Sequence, residues 1–451
     1  MEKNLTTGSV FKNLLFFSLP YLLSYFLQTL YGMADLFIIG QFEGISSTTA
    51  VSIGSQVMHM LTVMIVGLSM GSTVLIGQAV GAGDKKKSAS AIGNTTVLFL
   101  GLSVVLAGLL LLAVRPITAV MSTPAKAVEG TVRYLTICFI GIPFVTAYNV
   151  LSSIFRGLGD SKSPMYFIAA ACAANIVLDL IFMGPLHLGP SGAALGTTIS
   201  QAFSVLLALL MIRKHKNGLT LTSHDFQPAR PILGRILSVG VPIALQDGFI
   251  QISFILITII ANRRGLNDAA AVGIVEKVIS FLFLVPSSML SAVSALAAQN
   301  IGAGKQGRAK ATLKYAICIA IGFGAVCTLI IQAAAPAVVT LFTDASTADG
   351  AAVVRLGSQY IRGYVLDCLF AGIHFCFCGY FCAIGKSGIS FFQNLMSILL
   401  VRVPGAWLAS TLFPDTLLPM GLATAAGSLL SAFICVTAFL LLSRKEKQAA
   451  A

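Results

Sequence analysis

The sequence predicts an all-α integral membrane protein of about twelve transmembrane helices, arranged as two pseudo-symmetric six-helix bundles. Three observations predict it. Of the 451 residues, 57% are hydrophobic and only 10% are charged, where a soluble chain carries about 25% charge; the mean hydropathy is +0.91. Apolar runs of about 20 residues follow one another almost without pause, each long enough to cross the hydrocarbon core as a helix. Landmarks of the first half also recur in order in the second. In lipid the backbone must satisfy its own hydrogen bonds, which leaves helices or a closed barrel. The runs lack the alternating pattern of barrel strands, so helices are expected.

The first six spans fall at about residues 14–40, 50–80, 90–113, 131–155, 164–184 and 191–212. Span one carries Pro20 in its middle, where proline removes a backbone hydrogen bond and permits a kink. A fixed bend and a moving hinge both fit that position. Span two closes on Gln78-Ala-Val-Gly81-Ala-Gly83, and Lys85, Lys86 and Lys87 precede span three. Span four closes on Arg156-Gly-Leu-Gly159-Asp-Ser161. A polar stretch with Pro228 and Pro231 then reads as a linker at 213–232, dividing the chain into domains 1–212 and 233–451. The remaining spans fall at about 233–261, 269–299, 312–335, 355–382, 388–411 and 418–442.

The formal charge of +13 would suit nucleic-acid binding in a soluble chain, but its placement excludes that reading. Lysine and arginine concentrate in every second loop, from Lys85–Lys87 through Lys216 to Lys305, Arg308 and Lys310, and at the termini, including Lys3 and Arg444. This positive-inside pattern places both termini in the cytoplasm of a multi-pass plasma-membrane protein, here expected in a bacterial inner membrane. The first apolar segment is too long for the core of a cleavable leader. The nine cysteines have neither disulfide-framework nor zinc-site spacing. His59 and His374 are single histidines and read as packing residues.

The repeat is specific. Gln78-Ala-Val-Gly81-Ala-Gly83 matches Gln299-Asn-Ile-Gly302-Ala-Gly304, Pro20 matches Pro242, Ala50-Val51 matches Ala271-Val272, and the Gly159 turn matches the Gly385 turn. All four matches sit at offsets of 221 to 226 residues. An even number of spans per unit inserts both copies in the same orientation, and substrate sites of such transporters lie where repeats meet. The repeat needs no second chain, so a monomer is expected.

Ionisable groups inside spans are costly and usually functional. Here they are Asp35, Asp179, Asp247, Glu276 and Asp367, with Arg402 among the bases. Asp35 and Asp179 fall late in outward-running spans, and Ala193 and Thr197 fall early in an inward-running one, so all share one depth. Asn175 and Asp179 are four residues apart and project from one helix face, as do Ala193 and Thr197. Two carboxylates, an amide oxygen, a hydroxyl and a backbone carbonyl suit a coupling ion at Asp35, Asn175, Asp179, Ala193 and Thr197, and a hard cation such as Na⁺ at Asp35, Asn175, Asp179 and Thr197. Equally, two facing carboxyls in a low-dielectric site do not both ionise comfortably, so the pair would hold H⁺. Structural pairing and a transport role both fit Asp247, Glu276, Asp367 and Arg402. Gln28, Tyr31, Gln56, Tyr148 and Asn149 are polar groups in apolar helices; they line a substrate cavity or bond between helices. No Walker A loop, Gly-x-Ser-x-Gly or His-Glu-x-x-His is present, which argues against an enzyme and leaves a coupling cation as the only expected cofactor.

Together these motifs resemble the multidrug and toxic compound extrusion (MATE) family over nearly the whole chain. The resemblance rests on two six-span halves, the Gln78–Gly83 stretch and its repeat, Arg156-Gly157-Leu158-Gly159-Asp160 before Pro164, and the Pro20–Asp35 spacing. The spacing of Asn175, Asp179, Ala193 and Thr197 is similar to the cation site of the branch named for DNA-damage-inducible protein F. The resemblance implies a V-shaped fold, and antiport of cationic, amphiphilic organic compounds against H⁺ or Na⁺ by alternating access. It implies coupling-ion binding at Asp35, Asn175, Asp179 and Thr197, bending at Pro20 and a cavity-lining Gln28. Another branch uses a carboxylate deeper in the seventh span; Asp247 lies about one turn too early for that role. The alternative is a lipid or lipid-linked oligosaccharide flippase of the same superfamily, disfavoured by the few basic residues in the central spans.

Overall fold

The computed structural model describes residues 4–214 and 221–450. Lys3, Lys216 and residues 215–220 of the expected linker lie outside the described residues. Among the described residues every regular element is helical. In chain order these are α1 (Val10–Phe42), α2 (Ile45–Gly81), α3 (Lys85–Val120), α4 (Val128–Ile140), α5 (Ile142–Gly157), α6 (Lys162–Met183) and α7 (Pro190–Lys214). A short 3-10 turn at Ser223–Phe226 precedes α8 (Arg230–Asn262), α9 (Leu266–Leu282), α10 (Leu284–Gly302) and α11 (Gln306–Thr340). The chain closes with α12 (Ala348–Tyr364), α13 (Asp367–Ala383), α14 (Ser387–Ser397), a π-turn at Ile398–Arg402, α15 (Val403–Leu412) and α16 (Leu418–Ala450). Among the described residues these make 11 membrane-length apolar spans, or 12 if the bent α4–α5 pair counts as one.

Proline accompanies most of the places where an expected single span is two helices; the 355–382 span divides into α12 and α13 at Val365–Leu366 without one. The span expected at 131–155 is α4 and α5, bent by 49°. Gly141 joins them, and Pro143 opens α5, where its ring removes a donor and crowds the preceding turn. Pro286 follows the break between α9 and α10, and Pro404 follows the π-turn. In α11, Ala334 leaves helical geometry two residues before Pro336. These are the ordinary causes of kinks.

Residues 15–244, with 4–7 and 298–304, form one compact unit; residues 8–14, 245–297 and 305 onward form another. The first unit contains α2 to α7 and most of α1. Inside it, the repeated glutamine–glycine stretches cross. A Cβ on Gly81 would fall on the carbonyl oxygen of Gln299, and a Cβ on Gly302 on that of Gln78. Only glycine permits backbones to approach so closely. Each stretch then ends in the same left-handed turn, at Gly83 (φ 70°) and Gly304 (φ 72°). Just beyond, Asp84 caps α3 by accepting from Lys87 N at 3.0 Å, and this bond holds its carboxyl below the usual range.

The apolar core of the first unit gathers Ile38, Ile39, Tyr134, Phe139, Met183 and Ala193 around the far ends of α1, α6 and α7. In the second unit Ile257, Val275, Tyr360, Tyr364, Cys368 and Met420 make the corresponding cluster. The outer surface inverts a soluble protein's pattern: Leu112 is 84% and Leu329 71% exposed, as lipid-facing side chains are.

Candidate functional site

The first unit brings the expected acid pair together. Asp35 on α1 is 2% exposed, Asp179 and Asn175 on α6 are 0% and 1%, and Thr197 on α7 is 9%. Thr197 Oγ1 donates to Asp35 Oδ2 at 3.2 Å. The side chains of Asp179 and Asn175 approach the Asp35 carboxyl. The four-residue spacing of Asn175 and Asp179 turns both toward it. Apolar side chains wall the group, with Ile38, Met183 and Ala193 fully or nearly buried. Ala193 packs into this wall; its side chain carries no oxygen, so a ligand role there rests with its backbone carbonyl.

Five buried atoms of this group make no hydrogen bond among the described residues: Asp35 Oδ1, both Asp179 oxygens and both polar atoms of the Asn175 amide. No lysine, arginine or histidine forms an ion pair with either acid among the described residues. Buried acceptors left this way are costly. The chemistry they suit is a small cation or proton held between the two carboxyls. No group of three His, Cys, Asp or Glu among the described residues is placed to hold a metal ion, so any bound cation would draw on the amide and hydroxyl as well.

Sequence reasoning missed Gly196. A Cβ there would fall on Asp179 Oδ1, so glycine is what lets α7 approach the carboxylate. The available signal was its position, one residue before Thr197. Gly196→Ala is expected to displace Asp179 and lower gradient-driven transport at least several-fold, with the protein still folded. Transport assayed beside the thermal unfolding midpoint checks this; wild-type transport would show that the close approach is dispensable.

Other expected residues scatter. Gln28, Tyr148 and Asn149 line one cavity of the first unit together with Tyr21 and Arg156. Tyr31 and Gln56 are not among its lining residues, and Gln56 is exposed. Asn149 Nδ2 bonds within its own helix, to Val145 O at 2.8 Å, while the Tyr148 hydroxyl reaches Pro164 O on α6 at 3.4 Å. Pro20 lies within α1, which remains helical through it. Ser24 Oγ bonds back to Pro20 O at 2.8 Å, an arrangement that bends helices slightly.

In the second unit Arg402 in the π-turn faces Asp367 at 3.9 Å. Arg402 Nη2 also donates to the Tyr364 hydroxyl at 2.8 Å, and its guanidinium lies 5.0 Å from the Phe254 ring centre. Glu276 instead accepts from Thr258 Oγ1 at 3.2 Å. Asp247 is half-buried and makes no hydrogen bond or ion pair among the described residues. Tyr364 and Thr258 were not legible as partners, because tyrosine and threonine are common in apolar helices.

The sequence profile of the MatE family matches residues 20–181 and 242–408, one match in each repeat. The chain belongs to the MatE family. This MatE protein is 30% identical over 408 residues to the probable multidrug resistance protein YpnP of Bacillus subtilis (strain 168), covering 89% of this chain and 90% of YpnP. It is 26% identical over 380 residues to the multidrug export protein MepA of Staphylococcus haemolyticus (strain JCSC1435), covering 84% and 82%. A crystal structure of MATE in the bent conformation superposes with a TM-score of 0.91 at 24% identity, over 99% of this chain and 98% of that one. The MatE chain is thus a multi-pass membrane transporter, built on the MATE fold.

Proposed function

We propose that this MatE transporter is a secondary antiporter that exports cationic amphiphilic compounds from the cytoplasm in exchange for H⁺ or Na⁺. The observation that carries the reading is the Asp35–Asp179 pair: two buried carboxyls facing each other with no basic partner. The names of YpnP and MepA support drug-like cargo. The positive-inside pattern supports cytoplasmic termini, and the internal repeat supports lobes at 1–212 and 233–451, joined by 213–232, in a monomer. The spacing of Asn175, Asp179 and Thr197 supports a site of the kind found in the branch named for DNA-damage-inducible protein F.

Asp35 and Asp179 would take up the coupling ion as co-substrate, Thr197 would orient Asp35, and the Asn175 amide would supply a further oxygen. An ion drives export only by binding two conformations with different affinity. Pro20, on the same helix as Asp35, is the proposed point at which α1 bends when the pair changes occupancy.

The test uses proteoliposomes loaded with a fluorescent cationic dye, under a Na⁺ gradient and a pH gradient imposed separately. Dye movement under one gradient is expected and names the ion. No movement under either, with folded protein present, overturns cation antiport and favours the lipid flippase.

A further inference from the structure

The cavity beneath Tyr148 is chemically unlike the acid pair. Tyr21 and Asp35 are 14 residues apart on α1, roughly 20 Å along the helix, so the two sites are separate. The cavity measures about 20 Å³ and is not closed off, so it admits a water or the charged head of a small anion. Its lining holds Tyr21, Gln28, Tyr148, Ser152, Arg156 and Ser161, with no aspartate or glutamate. Arg156 is thus its only charged lining residue.

Among the described residues Arg156 makes no ion pair; its guanidinium lies over the face of Tyr21, 5.1 Å from guanidinium carbon to ring centre. Arg156 Nε is buried and makes no hydrogen bond. Ser152 Oγ, on a residue only 2% exposed, is buried beside the Tyr148 hydroxyl without a well-formed hydrogen bond. Asp160, four residues on, is turned away: its carboxylate accepts from Lys162 N at 3.0 Å and from Ser163 Oγ at 2.6 Å. A half-buried guanidinium beside such a hydroxyl wants a negatively charged acceptor. It also repels an organic cation, so cationic cargo would not rest here.

We infer that Arg156, Ser152 and the tyrosines around them form a binding site for one small monovalent anion, chloride or the carboxylate of an organic acid. The guanidinium supplies the charge and directional donors. Ser152 Oγ supplies a neutral donor, and the small cavity favours a small anion.

The experiment needs no gradient and no transport, so its outcome is independent of the antiport reading. The purified full chain is held in a zwitterionic buffer with no small anion added and titrated with chloride, acetate or sulfate while the unfolding midpoint is followed. Binding of radioactive chloride is measured in parallel. A saturable rise with chloride or acetate, absent with sulfate, and one chloride bound per chain are expected. Chloride displaced by acetate at lower concentration identifies a carboxylate as the preferred ligand; the reverse order identifies the inorganic ion. Arg156→Gln is expected to weaken binding about tenfold or more, as loss of a charged hydrogen bond implies, and Arg156→Lys to retain most of it. Should Arg156→Gln not fold, Ser152→Ala, which keeps the charge, is expected to weaken binding a few-fold. Absence of saturable binding in the wild type, or binding unchanged in both Arg156→Gln and Ser152→Ala, overturns the site.

Discussion

Asp35→Asn is expected to reduce ion-driven dye export to the level of protein-free liposomes, while the protein stays folded. The substitution is nearly isosteric and keeps an oxygen for the Thr197 hydroxyl, which now sits 3.2 Å from Asp35 Oδ2. What it removes is the second ionisable group facing Asp179. The remaining acid then has no partner with which to share a proton or a cation, and the affinity difference that drives the cycle disappears. Asp179→Asn should act alike, and the double variant should be no worse than either, because the two acids work as one unit. Stability should hold or rise, since a buried acid with unbonded oxygens is costly. Export assayed in liposomes, with the unfolding midpoint measured on the same preparations, checks this. Wild-type export in Asp35→Asn would remove the acid pair from the mechanism.

Arg402→Met is expected to destabilise the second unit more than any surface substitution. Asp367 is fully buried, and Arg402 at 3.9 Å is its one ion-pair partner among the described residues. Removing the guanidinium leaves a buried acid unopposed and strips the Tyr364 hydroxyl of its donor. Breaking such a pair costs about 3–5 kcal/mol, which for a unit of this size lowers the midpoint by on the order of 10 °C. The double variant Arg402→Met with Asp367→Leu should recover most of the loss, because burying neither charge avoids the desolvation penalty. A double variant no more stable than the single would be the contrary result: the arginine's packing on Phe254, 5.0 Å away, would then outweigh its charge.

Much of this protein was legible in the sequence because a bilayer leaves the chain few choices. Backbone groups in lipid must bond within a helix, so run length and hydropathy sufficed to place the spans. Asp35, Asn175, Asp179 and Thr197 were legible as a set for a related reason. Acids are rare in apolar helices, and helical spacing assigns their faces. The polar cavity candidates were less legible: Gln28, Tyr148 and Asn149 share a cavity, whereas Gln56 does not, because a polar residue's helix face does not say which neighbour that face meets.

Composition, hydropathy and an internal repeat thus determined an all-helical membrane fold of two repeated halves, with one acid pair. Only tertiary structure decided the finer points. It bent the 131–155 span by 49°, set Gly196 against Asp179, crossed Gly81 with Gln299, matched Arg402 to Asp367, and left Arg156 facing a cavity without a carboxylate. The physical reason is common to all of them. Membrane insertion acts on each span separately and is written in local sequence. Close approach between helices depends on which small residue meets which side chain across a gap of hundreds of positions, and no local pattern encodes that.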